Sequence, residues 1–166
     1  MTLLETQRET RLAYAVEGLP DHQELAVHTD QTALEILDLI KAKHPELAVS
    51  ELIVEDEEES LDGDFRIVEQ LEIEFKLVHA GRGGRIDVLI HYDGDERKHS
   101  FRASATVRKI IKWAISGDGF DLVDPASKFV LKLGEKELNP ELHLGQINDG
   151  KRKVELTLVH TRKIQG

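Results

Sequence analysis

The last residue of the chain, Gly166, carries a carboxylate that no side chain crowds. It ends a polar tail, residues 161–166, that follows the apolar pair Leu158-Val159 and His160. Such a carboxylate can be activated and passed to a nucleophile, because glycine has no Cβ to block the approach to its carbonyl carbon. We therefore expect Gly166 to be the reacting residue. A partner would then recognise four residues of the tail: Arg162, Lys163, Ile164 and Gln165. The two basic residues could pair with acidic walls of the partner or only keep the tail soluble.

A similar pattern occurs in the middle of the chain. Leu77-Val78-His79 is followed by a glycine-rich stretch that ends at Gly83-Gly84. A repeat at this spacing predicts two copies of one small domain, each just large enough for a modest core. The glycine pair is internal and could be activated only after cleavage of the chain. We expect a leader at 1–10, a first domain at 11–80, a linker at 81–85 containing Gly81, Gly83 and Gly84, a second domain at 86–160 and the tail at 161–166.

The composition narrows the possible functions. The chain has a net charge of −10 and no cysteine, which excludes disulfides, thiol nucleophiles and cysteine-bound zinc. Residues 1–84 hold 7 Lys and Arg against 20 Asp and Glu, and residues 85–166 hold 15 against 12. The acidic half should repel nucleic acid and anionic membranes. Only the second half suits an acidic protein partner, unless both surfaces are simply solvated. The start of the chain lacks the features of a signal peptide and no stretch is long enough to span a membrane, so we expect a cytoplasmic protein.

Each half predicts the same order of elements: two strands joined by a turn, one helix and two further strands. In the first half we expect strands at 12–16, 24–28, 52–54 and 71–77, with a helix at 33–43. In the second half we expect strands at 86–90, 98–103, 129–133 and 154–159, with a helix that Ser104 or Thr106 caps and that runs to Ile115. One helix over one face of a mixed sheet would bury these apolar faces. The predicted class is α+β, with two tandem domains.

This order, with these tails, resembles the ubiquitin-like β-grasp family over nearly the whole chain. The most specific stretch is 75–84, which looks like a last strand running into the Arg-Gly-Gly tail of ubiquitin. In the second copy, Asp93-Gly94 matches the first hairpin turn, 105–111 the start of the helix and 133–138 a later turn. The final tail differs, because it ends in one glycine where a pair is commoner. We therefore expect its recognition by a partner to differ as well.

Tandem domains of this kind in a short, cysteine-free chain are similar to the modifiers of bacterial ubiquitin-like operons, the Bil-type antiphage systems in particular. The resemblance implies a protein that is not itself an enzyme and binds no cofactor or metal. Its partners would be an E1-like activating enzyme that uses Mg-ATP, an E2-like conjugating enzyme, a JAB-type metallopeptidase and a target amine. A non-covalent adaptor and a sulfur carrier with a C-terminal thiocarboxylate remain alternatives.

The resemblance also implies a docking patch on the exposed face of the second sheet. Strand alternation could place Leu131, Leu133 and His160 on one side of that sheet, so we expect the patch there. The alternative is that one of the leucines belongs to the core. His79 and His160 are predicted to be equivalent surface residues at strand ends. The acidic run at 55–59 is predicted to be a solvated loop, and His91 with His99 makes a poor zinc site because a third ligand is lacking.

Overall fold

The computed structural model describes residues 9–66 and 77–162. In the first domain a sheet forms from strands β1 (Glu9–Val16), β2 (Gln23–His28), β3 (Glu51–Val54) and β4 (Val78–Gly81), and helix α1 (Ala33–Lys43) packs on one face. The strand order is β2-β1-β4-β3, with β1 and β4 parallel at the centre. Glu9 and Thr10, at the end of the expected leader, lie in β1.

Local signals explain where α1 begins and ends. The Thr32 side chain accepts a hydrogen bond from the Glu35 amide, and the Glu35 carboxylate accepts one from the Thr32 amide at 3.3 Å. This reciprocal cap satisfies amide groups that a helix start leaves free. Lys41 and Lys43 lie in the last turn, where positive charge opposes the helix dipole. The helix therefore matches the prediction over its full length.

The second domain repeats the design with one additional short strand. Its strands are β5 (Arg85–Tyr92), β6 (Asp95–Arg102), β7 (Phe129–Leu133), β8 (Lys136–Glu137) and β9 (Lys153–His160). Helix α2 (Val107–Ile115) begins after Thr106, whose side chain accepts from the Lys109 amide, and α3 (Leu144–Ile147) is a single turn. A 3-10 turn at Ala126–Lys128 precedes β7. The order is β6-β5-β9-β7-β8, again with a parallel central pair, β5 and β9.

Each sheet has its own apolar core on its helix side. The core of the first domain joins residues of β1, α1, β3 and β4, and that of the second joins β5, α2, β7 and β9. A parallel central pair with a crossing helix on one face is the β-grasp arrangement. The predicted class is confirmed: the chain is α+β with two tandem β-grasp domains. Among the described residues, no helix is long and apolar enough to cross a membrane.

The connection between the domains is shorter than predicted. Gly81 belongs to β4, where it pairs with Glu51, and Arg85 already belongs to β5. Only three residues, 82–84, connect the strands, and Gly83 and Gly84 both adopt positive φ, at 85° and 74°. Arg82 donates to the buried carboxylate of Glu17 at 2.7 Å. Most of the predicted strand at 71–77 lies outside the described residues; Leu77 lies just before β4.

Candidate functional site

The root of the tail lies at the end of β9. His160 pairs with Phe129, and its ring meets the phenyl ring edge-on, with centroids 5.0 Å apart. Nε2 of His160 is 2.8 Å from Oδ2 of Asp124, and the Arg162 amide donates to Nδ1 at 3.1 Å. Thr161 and Arg162 follow the strand directly. The other predicted tail residues, Lys163, Ile164, Gln165 and Gly166, lie outside the described residues.

The structure corrects the predicted docking patch. Leu131 is fully buried in the core, so its side chain cannot meet a partner. Leu131 faces Leu158 across the sheet, and His160 faces the core residue Phe129, so both lie on the helix side. Leu133 is exposed at 36% at the end of β7. Alternation did put the three residues on one side, but that side is the core side.

The opposite face of the second sheet is open. Val130 and Val159 are direct cross-strand partners, both half-buried, and they point away from the core. Leu89, in β5, lies on the same face, one strand from Val159 and two strands from Val130. It lines a shallow cavity of about 480 Å³. Charged residues surround that cavity: Asp87, Glu96, Lys98, Lys153 and Glu155. A partner that binds this open face would meet the apolar pair Val130–Val159, which Thr157 and Glu155 separate from Leu89 on the same face.

The equivalent face of the first sheet is covered. Ala15, His79 and Ile53 form one row across three strands on the side away from α1, and they are 0%, 0% and 1% exposed. Gly145, at the start of α3, packs directly on the His79 ring. The Gly18 amide donates to the Gly145 carbonyl at 2.9 Å. The second domain therefore occupies the face that the first domain would otherwise offer.

The prediction that His79 is a surface residue is wrong, and so is its equivalence with His160. His79 lies in the middle of its sheet on the outer face, whereas His160 lies at a strand end on the core face. The two Leu-Val-His stretches are alike in sequence and have different places in their sheets.

A buried polar chain crosses the contact between the domains. Nδ1 of His79 is 3.0 Å from Nδ1 of His143, and Nε2 of His143 is 2.8 Å from a carboxylate oxygen of Glu55. If His143 donates to Glu55, its Nδ1 is free to accept from His79. Nε2 of His79 is then a buried acceptor without a partner. Burial, and next the neighbouring His143, hold the pKa of His79 well below its usual value of 6.5.

The acidic run is an exposed loop at 56–59, as predicted, and three members of the run also take part in this contact. The Asp56 carboxylate accepts from the Thr106 amide at 2.7 Å, at the start of α2. Glu55 reaches His143, and Glu58 pairs with a residue at the start of β5 and one on α2. Pairing with Arg85 and Lys109 lowers the pKa of Glu58, as the negative charge is stabilised. Acidic residues of the first half therefore pair with residues of the more basic second half at the contact between the domains.

No group of three or more His, Asp or Glu side chains within residues 9–66 and 77–162 is placed to hold a metal ion. His91 pairs with Glu96 and contacts Glu155, whereas His99 stacks on Trp113 with centroids 4.6 Å apart. The two histidines are therefore held by different neighbours.

Sequence reasoning did not find Gly145 or His143. The one feature of the sequence that points to a contact between the domains is the opposite net charge of the two halves, because opposite charges attract. The stretch His143-Leu144-Gly145 has no motif that predicts a domain contact.

The second domain matches a known protein family. Residues 87–161 match the family model of BilA ubiquitin-like domain 2. The match begins within β5 and ends one residue after β9, so it covers nearly the whole second sheet. No curated protein matches the chain. The second domain is therefore similar to a BilA ubiquitin-like domain, which supports a Bil-type ubiquitin-like protein.

Proposed function

We propose that the chain is a ubiquitin-like protein modifier that is joined to its targets through Gly166. The observation that carries this proposal is the match of residues 87–161 to a BilA ubiquitin-like domain. The matched domain ends at the root of a tail whose last residue is a glycine. The chain contributes a carboxylate, a thin tail and a docking surface, and its partners carry out the catalysis.

The chemistry would proceed in four balanced steps. A Gly166 carboxylate oxygen attacks the α-phosphorus of ATP bound with Mg²⁺ in an E1-like enzyme, and pyrophosphate leaves. A cysteine thiolate of that enzyme attacks the mixed anhydride, which forms a thioester and releases AMP. A cysteine thiolate of an E2-like enzyme then attacks that thioester, which forms a new thioester and releases the cysteine of the E1-like enzyme as a thiolate. A target amine finally attacks the thioester, so that an amide forms and the thiol leaves.

The wider setting belongs to the same proposal. A JAB-type metallopeptidase would remove the modifier from its targets, and the system would act in the bacterial cytoplasm in antiphage defence. The match to a BilA domain supports this setting. Two other uses of a β-grasp tail, a non-covalent adaptor and a sulfur carrier, predict different products. An activation assay with the E1-like enzyme distinguishes the modifier, the adaptor and the sulfur carrier.

The decisive experiment is incubation of the chain with the E1-like enzyme and Mg-ATP, beside a chain that lacks Gly166. We expect the full chain alone to form an adduct on a non-reducing gel that a reductant releases, with the matching intact mass. Equal behaviour of the two chains, with an enzyme known to activate another carboxylate, would favour the adaptor. In a parallel incubation with added sulfide, which can attack the adenylate and release AMP, a mass increase corresponding to exchange of oxygen for sulfur would identify a carrier.

The activating enzyme should dock on the open face of the second sheet, since the second domain covers the corresponding face of the first. Val159→Lys places a charge on the open face directly beside Val130, its cross-strand partner. We expect it to raise the concentration of the chain that half-saturates the enzyme by about 10-fold, as for the loss of one interface anchor worth about 1.4 kcal/mol.

The matched control is Val123→Lys, the same substitution at a valine that is 100% exposed in the loop after α2. It should leave the half-saturating concentration unchanged. If both lysine variants behave like the parent chain, the open face is not where the enzyme docks.

A further inference from the structure

Both ring nitrogens of His160 are engaged at the point where the tail begins. Nδ1 lies 3.1 Å from the amide nitrogen of Arg162, two residues further along the chain. Nε2 lies 2.8 Å from Oδ2 of Asp124, in the loop between α2 and β7. The imidazole therefore joins the end of the last strand to a second part of the domain.

The partners determine where the ring proton lies. A backbone amide can only donate, so Nδ1 of His160 must be the acceptor for Arg162. A neutral imidazole then carries its proton on Nε2 and donates it to the Asp124 carboxylate. One tautomer satisfies both contacts, and protonation of Nδ1 would remove the acceptor for the Arg162 amide.

The ring is also held by packing. The His160 side chain is 12% exposed, and its ring lies edge-on against Phe129, a core residue that is 5% exposed. A side chain held by two hydrogen bonds and a core contact has little rotamer freedom. It can therefore impose its geometry on the backbone beside it.

The geometry imposed is a turn. A side-chain acceptor that takes the amide two residues ahead bends the backbone away from an extended path, as Asx turns do. Thr161 and Arg162 accordingly leave the strand conformation of β9 and take up helical backbone geometry, and the bond from the Arg162 amide to His160 is the kind that an N-cap side chain makes. His160 thus fixes the backbone path of the first two residues after β9.

We propose that His160 is the positioning residue of the tail: it fixes the direction in which residues 161–166 leave the second domain, and so brings the Gly166 carboxylate to the activating enzyme. This inference rests on the proposed function. His160 acts through the Arg162 amide and does not touch the reacting atoms. A small error in direction at the root moves the carboxylate away from its attack geometry, which lowers the rate at saturation more than the affinity.

Two near-isosteric variants separate the two hydrogen bonds. His160→Asn puts an amide oxygen where Nδ1 was and can keep the Arg162 bond. His160→Gln puts an amide nitrogen where Nε2 was and can keep only the Asp124 bond. The two measurements are the exchange rate of the Arg162 amide hydrogen, on the chain alone, and kcat and KM for thioester formation.

We expect His160→Gln to speed exchange at Arg162 and to lower kcat by about 10-fold to 100-fold with KM little changed. His160→Asn should lie between the parent chain and His160→Gln in both measurements, because it can keep the Arg162 bond but loses the Asp124 bond and the contact with Phe129. Equal kcat for the parent and His160→Gln, although the Arg162 amide exchanges faster, would overturn the positioning role. Unchanged exchange in His160→Gln would overturn the turn itself.

The two proposals can fail separately. If the parent chain never forms a thioester with the activating enzyme, the proposed function is wrong, and the role of His160 in activation is then wrong as well. The exchange rates of Arg162 would still show whether His160 anchors the root of the tail. If the parent forms the thioester and both variants form it with the same kcat, the modifier function stands and only the positioning role of His160 is wrong.

Discussion

Replacing Gly145 with alanine should loosen the contact between the two domains. A Cβ on Gly145 would lie 2.4 Å from Cε1 and Nε2 of His79 and 3.2 Å from Cβ of Ala103. The His79 ring is fully buried, so it cannot move aside without repacking the contact. Overpacking of this kind lowers the free energy of unfolding by about 1–3 kcal/mol. We expect a loss near the upper end, measured by urea denaturation.

The loss should be local to the contact between the domains. The Gly18 amide donates to the Gly145 carbonyl, and the Asp56 amide donates to the Ser104 carbonyl at 3.1 Å. Both bonds join one domain to the other. In Gly145→Ala these two amide hydrogens should exchange much faster, whereas amide hydrogens within each sheet should change less.

A matched glycine and a double substitution test the cause. Gly117 has nothing within 4 Å of its Cβ position, so Gly117→Ala should behave like the parent chain. Adding His79→Ala to Gly145→Ala removes the ring that the new methyl group strikes. The double variant should therefore lose less free energy than the two single losses combined. The contrary results are that the losses of unfolding free energy in the two single variants add up to that of the double variant, or that the two glycine substitutions lower it equally. Either result would show that contact with the His79 ring does not determine the loss in Gly145→Ala.

This contact makes the two domains unequal although their sheets are built alike. The first domain uses the outer face of its sheet, at Ala15, His79 and Ile53, to hold the second domain. The second domain keeps its outer face open, at Leu89, Val130 and Val159, on the same domain as the tail. A partner that docks by this face meets one open copy of it in each molecule. Among the described residues, the tandem therefore leaves one outer sheet face open, on the domain that carries the tail.

Local signals in the sequence predicted the elements well. Helix α1 could be placed because its cap, Thr32 with Glu35, and its basic last turn are contiguous in the chain. The turn at Asp93-Gly94 predicted the β5–β6 hairpin for the same reason: both residues adopt positive φ. These features depend on neighbours a few residues apart, which the sequence shows directly.

The faces of the strands were harder to predict. The stretch Phe129-Val130-Leu131 is apolar at three consecutive positions, so alternation alone does not say which residues point inward. The answer depends on pairing with β9, because a shift of one residue exchanges the two faces. The same limit explains the false equivalence of His79 and His160, whose positions are set by pairing with strands distant in sequence.

Acid should weaken the fold through His79. Burial, and then the adjacent His143, keep the pKa of His79 well below 6.5, the value expected for the unfolded chain. The folded protein therefore binds fewer protons than the unfolded protein once the pH falls below about 6.5. The stabilisation from neutral His79 is complete above that pH and is lost as the pH falls toward the lower folded pKa. The loss is at most about 1.4 kcal/mol per pH unit for one group.

A comparison of variants isolates this group from the other titrating residues. His79→Leu removes the titration of His79, so the unfolding free energy of the parent should fall relative to that of the variant as the pH falls from about 7.5 to about 5.5. His22→Gln, which removes an exposed histidine of the first domain, should leave the parent's acid dependence in place. Parallel curves for the parent and His79→Leu would mean that the His79 ring is solvated in solution, and hence that the domains separate far more readily than this contact implies.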